Sequence, residues 1–492
     1  MHTPEASTEG PKAGPAWLRS EDWWALWLGL ALLLLALVAA FGWNPYAWAV
    51  RPRIWTWGSF SWQTALAVRG EGWHPLAALA VNYAVLTALL GAGAACMGYR
   101  LGRFLAAWTA IFLLTWSCWI LGHEAHLAAH VNEFERYGIE FGLSLGGGAA
   151  YLLALLVGLL IGNAVRPLAA FLREAAKPEW FIKAAIVCLG VKIGLQSIEA
   201  AGFAFELALA GACATFVAYL LFWPLIYALA RRVFGFRRDA SAVLASGLSI
   251  CGVSAAIATA GAIRARPSLP VVVSVLVVVF AMIELIVLPP LYAHLAPDAP
   301  IVNGAAMGMT VKTDGADAAA GAILDELMRS RAAERGIHWQ EGWILTAAVM
   351  TKIWIDMFIG VWAFVLAWLW LRHVEGSPYE QRIPLREIWN RFPKFVLGYF
   401  LAWGVYLAIG QSDSAWSAAA QAGAAPVAGE LRKFLFMATF LGIGLITDFR
   451  ELRGMGRMAL LYATGLVFIV APIAYAVAWV FHRGMLPPAA TG

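Results

Sequence analysis

Apolar runs about 20 residues long recur along the whole chain, and a helix needs about that many mostly apolar residues to cross a bilayer. Such runs lie at 23–43, 76–98, 103–122, 146–164, 180–196, 205–230, 242–263, 270–293, 304–323, 343–371, 393–410, 431–446 and 458–482. They make about 13 candidate spans. The expected fold class is therefore an all-α, polytopic integral membrane protein. Two of the runs, 242–263 and 304–323, are polar enough to be re-entrant rather than crossing.

Composition excludes the soluble alternative. Charged residues make up 13% and hydrophobic residues 61%, whereas a soluble domain carries about 25% charged residues. Trp occurs 25 times, and Trp23, Trp24, Trp43, Trp55, Trp57 and Trp339 flank apolar runs. That placement suits aromatic belts at the membrane interface, and simple anchoring accounts for nearly all of them. Cys96, Cys118, Cys188, Cys213 and Cys251 lie inside apolar segments without CxxC or metal spacing, as free thiols do. No secretory signal is evident: the first 22 residues are polar, and the run after them is long enough to stay in the membrane.

The net charge of +5 does not point to nucleic acid, because the basic residues sit in short loops that set orientation. Those loops hold Arg100 and Arg103; Arg166, Arg173 and Lys177; Arg231, Arg232, Arg237 and Arg238; Arg372, Arg382, Arg386, Arg391 and Lys394; and Arg450, Arg453 and Arg457. All five fall on one side if every run crosses. Loops on the other side are acidic or neutral, from Glu124 to Glu140 and from Asp413 to Glu430. The expected orientation in a bacterial inner membrane is N-terminus cytoplasmic and C-terminus outside. Arg51, Arg53, Arg69, Arg264 and Arg266 are exceptions.

Two internal echoes are visible. LGVKIGLQSIEAAG at 189–202 parallels LGIGLITDFRELRG at 441–454, matching Leu189 with Leu441, Gly190 with Gly442, Glu199 with Glu451 and Gly202 with Gly454. CGVSAAIATAGAI at 251–263 parallels VKTDGADAAAGAI at 311–323. Internal repeats are common in secondary transporters, although Ala- and Gly-rich stretches also match by chance. Residues 23–140 hold three spans and none of the polar intramembrane motifs. They are expected to form an accessory module between a polar tail, 1–22, and a core, 141–492.

Four groups of residues could carry chemistry. The stretch Ser246-Gly247-Leu248-Ser249-Ile250-Cys251-Gly252-Val253-Ser254 suggests an interrupted helix. A half-helix beginning there would aim free N–H groups into the membrane and favour an anion. A small-residue face packed on a neighbour explains the stretch equally well. The second is Met309-Thr310-Val311-Lys312-Thr313-Asp314-Gly315-Ala316-Asp317. Charges so placed in a span mark a substrate or ion path, and Gly315 permits a break. The plainer reading makes this stretch a loop.

Isolated charges form the third group. Lys352 and Asp356, spaced i, i+4, can neutralise one another on one helix face. Lys183 can snorkel to the interface, Lys192 follows a repeated Leu-Gly step, and Glu284 is a candidate proton carrier. The fourth is His123, His126 and His130 in HEAHLAAH, one helix face with metal-like composition but without the H-E-x-x-H order. A solvated interfacial helix explains it more simply.

PEWFIKAAIVCLGVKIGL (178–195), ASGLSICGVSAAIATAGAI (245–263) and FLGIGLITDFRELRGMG (440–456) together resemble the bacterial membrane-protein family labelled as sulfate exporters. The resemblance runs from about 141 to the C-terminus. It implies a relation to the sodium/proton antiporter and bile-acid symporter fold, with an inverted-repeat core and two crossing, interrupted helices. The chain departs from the family pattern at Gly308–Asp314, where it carries an extra Lys, and in its N-terminal three-span module.

The function expected from these features is secondary active transport of a small anion by alternating access, coupled to a proton or sodium. Ser249, Cys251, Gly252 and Ser254 would form one wall of the substrate site and Thr310, Lys312, Thr313 and Asp314 the other. Asp314, Asp317 and Glu284 are the candidates for the coupling ion. Neither an enzyme activity nor a cofactor is expected, and no GxxxxGK[ST] motor motif is present. Expected partners are the anion, the coupling ion, the bilayer and, as an open case, a second copy of the chain; nucleic acid is not among them. An anion channel and a membrane-embedded metalloenzyme using His123, His126 and His130 are the alternatives.

Overall fold

The structure, a computed structural model of the chain, describes residues 16–370 and 393–490 apart from 130–132, 144, 264, 267, 413 and 453–454. Its helices are α1 (Glu21–Leu37), α2 (Pro75–Cys96), α3 (Leu101–Leu121), α4 (Gly148–Ala164), α5 (Arg166–Leu172), α6 (Pro178–Ile198), α7 (Gly202–Val233), α8 (Arg238–Ser249), α9 (Val253–Ala262) and α10 (Ser268–Leu295). They continue as α11 (Pro300–Thr310), α12 (Asp314–Glu334), α13 (Trp343–Met357), α14 (Ile359–Trp370), α15 (Phe395–Gly410), α16 (Ala415–Pro426), α17 (Arg432–Ile446) and α18 (Gly456–His482). An antiparallel ribbon of β1 (Val50–Pro52) and β2 (Leu66–Val68) links α1 to α2, pairing Arg51 with Ala67. Among the described helices, seven are long and apolar enough to cross a membrane, and α4 with α5, bent by 119°, would be an eighth. The chain is an all-α, multi-pass membrane protein.

Small residues let the spans approach closely, as they do in membrane bundles. A Cβ on Gly158 of α4 would stand 2.3 Å from the Leu441 carbonyl of α17, so only glycine fits there. Helices α1, α6 and α15 run in one direction side by side, with Gly29 on Val187, Gly190 on Tyr399 and Gly194 on Trp403. Their starting ends share a face with the basic loops. On that face Arg103 pairs with Glu174 at 3.6 Å, Arg173 donates to the Leu445 carbonyl at 3.2 Å, and Arg457 donates to the Phe234 carbonyl.

The two polar segments do not run on across the bundle. A Cβ on Gly247 of α8 would lie 3.8 Å from the Ala256 Cβ of α9, whereas nine residues of straight helix span about 13 Å. In the second segment Asn303 Nδ2 of α11 reaches Met328 Sδ of α12 at 3.7 Å. Arg335, just after α12, meets Asp298, just before α11, at 2.6 Å. Each segment is therefore a helical hairpin that returns to its own face, which corrects the implied pair of crossing helices. The α8–α9 hairpin leaves and rejoins the basic face, and α10 then traverses. The α11–α12 hairpin enters from the opposite face. Arg266 accordingly joins the basic face and ceases to be an exception, whereas Arg51, Arg53 and Arg69 stay opposite.

The tryptophans also need a correction. Trp43 and Trp57 are exposed, as anchors are. Trp55 is buried and donates to the Ile120 carbonyl at 2.8 Å, while Trp108, Trp180 and Trp343 are fully enclosed in the core. Apolar bulk recruited Trp to the interior as well as to the interface.

Candidate functional site

The hairpin tips meet. At the first, Ile250, Cys251 and Gly252 join α8 to α9, with Gly252 at φ 52°, in the region that glycine tolerates best. A Cβ there would stand 2.3 Å from Val277 Cγ1 and 2.9 Å from the Lys312 carbonyl of the other tip. Ser249 is buried, and its hydroxyl has no hydrogen-bond partner. Cys251 is buried, with its thiol hydrogen-bonded to Ser254, which is exposed. Because Gly252 has no side chain to offer, no side chain caps the first N–H groups of α9. Those groups carry the positive end of the helix dipole.

The second tip has the opposite character. Thr313 caps α12 by accepting from the Ala316 N–H at 3.2 Å. Asp314 and Asp317 occupy the first turn, where negative charge complements the dipole. Lys352 of α13 bridges Asp314 at 3.4 Å and Asp356 at 3.1 Å. Neither carboxylate oxygen of Asp317, and neither of Glu284, has a hydrogen-bond partner, though both side chains are buried. The charges of Glu284, Lys312 and Asp317 act on one another. A cavity of about 10 Å³ opens among Asp314, Asp317, Lys352 and Asp356, with Ile186 and Phe395 as its apolar wall. It has room for about one water.

The structure thus brings Ser249, Cys251 and Gly252 to the place where Lys312, Thr313 and Asp314 lie, with Asp317 and Glu284 beside them. Two of the sequence candidates are turned elsewhere. The Lys312 ammonium binds the Met309 carbonyl at the end of α11 and stands 4.8 Å from the Phe222 ring centroid. It neutralises the negative end of its own helix. The Thr310 hydroxyl returns to the Ala306 carbonyl at 2.7 Å.

Toward the basic face, Lys183 lies between Asp22 of α1 at 3.5 Å and Glu179 at 3.8 Å. A Cβ on Gly315 would meet Glu179 Oε1 at 3.2 Å. Reading Lys183 as a snorkelling residue missed this link, because its partners are remote in sequence or hidden in a helix start.

On the opposite face a cavity of about 950 Å³ is bounded by the ribbon, α3, α12 and α17. It shares no lining residue with the small one. At its floor Glu341 binds Lys192 at 3.0 Å, Arg432 at 2.9 Å and Lys433 at 3.2 Å. Burial alone would raise the pKa of Glu341, but Lys192, Lys433 and Arg432 outweigh it and hold the carboxyl well below its ordinary range. Asp325 of α12 caps α13 by accepting from the N–H groups of Gly342 and Ile344 at 3.0 and 3.1 Å.

His123 also lines this cavity and is bonded to the Trp119 carbonyl at 2.9 Å. Burial lowers its pKa to about 4. His126 is tied to Glu124 at 2.8 Å, and His130 lies outside the described residues. Among the described residues no group of three His, Cys, Asp or Glu side chains could hold a metal ion.

Comparison with known proteins places the chain. A UPF0324 membrane protein of Nitrosomonas europaea is 59% identical over 472 residues, covering 96% of this chain and 97% of the relative. One of Rhodopirellula baltica is 32% identical over 395 residues, covering 78% of this chain and 64% of the relative. One of Pseudomonas aeruginosa is 24% identical over 329 residues, covering 65% and 83%. No solved structure matches the chain. Residues 140–463 match the family described as Conserved hypothetical protein 698, and the chain belongs to this UPF0324 family of membrane proteins.

Proposed function

We propose that the protein is a secondary active transporter of a small anion, sulfate or a related inorganic or organic anion, driven by a proton or sodium gradient through alternating access. The observation that carries this reading is the contact of two hairpin tips entered from opposite faces, Gly252 against the Lys312 carbonyl. Irregular backbone at membrane depth is tolerated where it lines a substrate path, and half-helix termini meeting near the midplane are a recurring device of such carriers.

The uncapped start of α9, with Ser249 and Cys251, offers N–H groups to an anion. The start of α12, already occupied by Asp314 and Asp317, suits a proton or a sodium ion. Unpartnered buried carboxylates such as Asp317 and Glu284 are expensive unless they are loaded during a cycle. The large cavity on the opposite face shares no lining residue with the one-water cavity at the charged tip, which favours a carrier over an open channel.

In this reading about 13 segments are embedded in a bacterial inner membrane, of which two are hairpins and about 11 cross. The N-terminus is cytoplasmic and the C-terminus outside, by the charge of the loops. The echo between 251–263 and 311–323 falls on the second limbs of both hairpins, which supports an inverted repeat. Residues 23–140 act as an accessory module on a core from 141. The test is uptake of an anion panel into proteoliposomes under imposed pH and sodium gradients. Gradient-driven accumulation of at least one anion is expected, and no movement of any anion under any gradient would end the transport reading.

A further inference from the structure

The exceptions to the basic-face pattern, Arg51, Arg53 and Arg69, are all drawn from the N-terminal segment, and all three line the large cavity. Arg69 is accounted for: it binds Glu430 at 3.1 Å and ties the ribbon to the helix pair α16–α17. Arg51 and Arg53 have no carboxylate partner among the described residues. Four of the carboxylates that line the same cavity are engaged with other cations. Asp325 and Glu326 hold Arg329, Glu341 holds three cations, and Glu430 holds Arg69.

The ribbon roots both arginines on one side, and both line the large cavity. Arg51 pairs with Ala67 across it, and the Arg53 N–H continues the ladder to the Ala65 carbonyl at 2.8 Å. Residues i and i+2 of a strand point to one side and lie about 7 Å apart. Two guanidinium side chains rooted at that spacing suit an anion with two or more charges, since guanidinium binds carboxylate or sulfate oxygens in pairs. Positive charge on this face opposes the loop-charge rule, and a cavity lined with unmatched cations concentrates anions from solution.

We propose that the ribbon builds a second anion site, a vestibule in which Arg51 and Arg53 receive a polyvalent oxyanion before it reaches the hairpin tips. Its binding chemistry stands without the transport reading; only its purpose rests on that reading.

Thermal unfolding of the purified full-length protein in detergent tests it, with sodium sulfate and sodium citrate set against sodium chloride at equal ionic strength. Sulfate or citrate is expected to raise the midpoint of the native protein above chloride. The Arg51→Gln/Arg53→Gln pair is expected to weaken the apparent affinity by about tenfold or more, as loss of charge-assisted hydrogen bonds does. Both residues are exposed on the ribbon, and an Arg51→Lys/Arg53→Lys pair, which keeps the charges, is expected to retain part of the shift. Absence of any shift over chloride in the native protein, or an undiminished shift in the Gln pair, overturns the proposal. Flux that persists without this binding defeats the vestibule alone, whereas binding without flux defeats the transport reading and leaves the vestibule.

Discussion

The two hairpins use one backbone device for different ends. Each breaks a helix at a small or polar tip, returns to its own face and stops against the other. The first tip is nearly uncharged: Ser249, Cys251 and Gly252 leave the start of α9 without a side-chain cap. The second is capped by Thr313 and carries Lys312, Asp314 and Asp317, with Lys352 and Asp356 against it. The difference teaches that a helix start in a membrane is not by itself an anion site. Where carboxylates already fill the first turn the place suits a cation, and where glycine leaves it bare an anion can enter.

The largest expected effect breaks the charged tip. Lys352→Ala strands Asp314 and Asp356 in the interior, and breaking a buried pair costs about 3–5 kcal/mol. The variant should accumulate poorly or unfold far below the native protein in detergent. A Lys352→Ala/Asp356→Asn pair should recover part of the loss. An unchanged unfolding midpoint in the single variant would show that Lys352 does not hold the tip together.

A somewhat smaller effect is expected at the uncharged tip. Gly252→Ala forces a Cβ to within 2.3 Å of Val277 and 2.9 Å of the Lys312 carbonyl, at a backbone angle that alanine adopts poorly. Strain of about 1–3 kcal/mol should appear in thermal unfolding, together with lost uptake. Gly261→Ala in the same hairpin is the control, since a Cβ there meets nothing within 4 Å. Equal behaviour of the two variants would deny the tip its tight contact.

The smallest effect concerns neither tip and sharpens the comparison by exclusion. The pKa of His123 is lowered to about 4 in the folded protein, against an ordinary 6.5, because burial opposes its charge. Between those values the unfolded chain binds the extra proton, so stability falls as pH drops from 6.5 toward 4. The slope is at most about 1.4 kcal/mol per pH unit. His123→Gln should flatten that part of the melting-temperature profile. A coupling ion bound at the charged tip predicts no change in the gradient dependence of uptake in this variant.

Much of this was legible in the sequence. Apolar length marked the seven described helices long enough to cross, although about 13 spans were expected, and polarity at 246–254 and 309–317 marked both tips. The echo between 251–263 and 311–323 fell on equivalent limbs. What the sequence left hidden was direction. A run of about 20 residues has the same composition whether it crosses or doubles back, and only contacts such as Gly247 with Ala256 decide. Arg266 held a clue, since a hairpin removes its conflict with the loop charges. Long-range pairs were equally out of reach: nothing local links Lys183 to Asp22, Lys192 to Glu341 or Arg69 to Glu430. Lys312 looked like a substrate ligand because charge in a span is usually functional, yet its ammonium serves the end of its own helix.

The division of labour between the tips is tested most directly by comparing Ser249→Ala and Asp317→Asn in proteoliposomes, with anion concentration and the driving gradient varied separately. Both side chains lack hydrogen-bond partners, so neither change breaks a hydrogen bond of the folded protein. Ser249→Ala is expected to raise the half-saturating anion concentration while dependence on the gradient persists. Asp317→Asn is expected to leave that concentration near its native value and abolish the gradient's effect. The same change in both variants, whether in anion affinity or in coupling, would contradict the account.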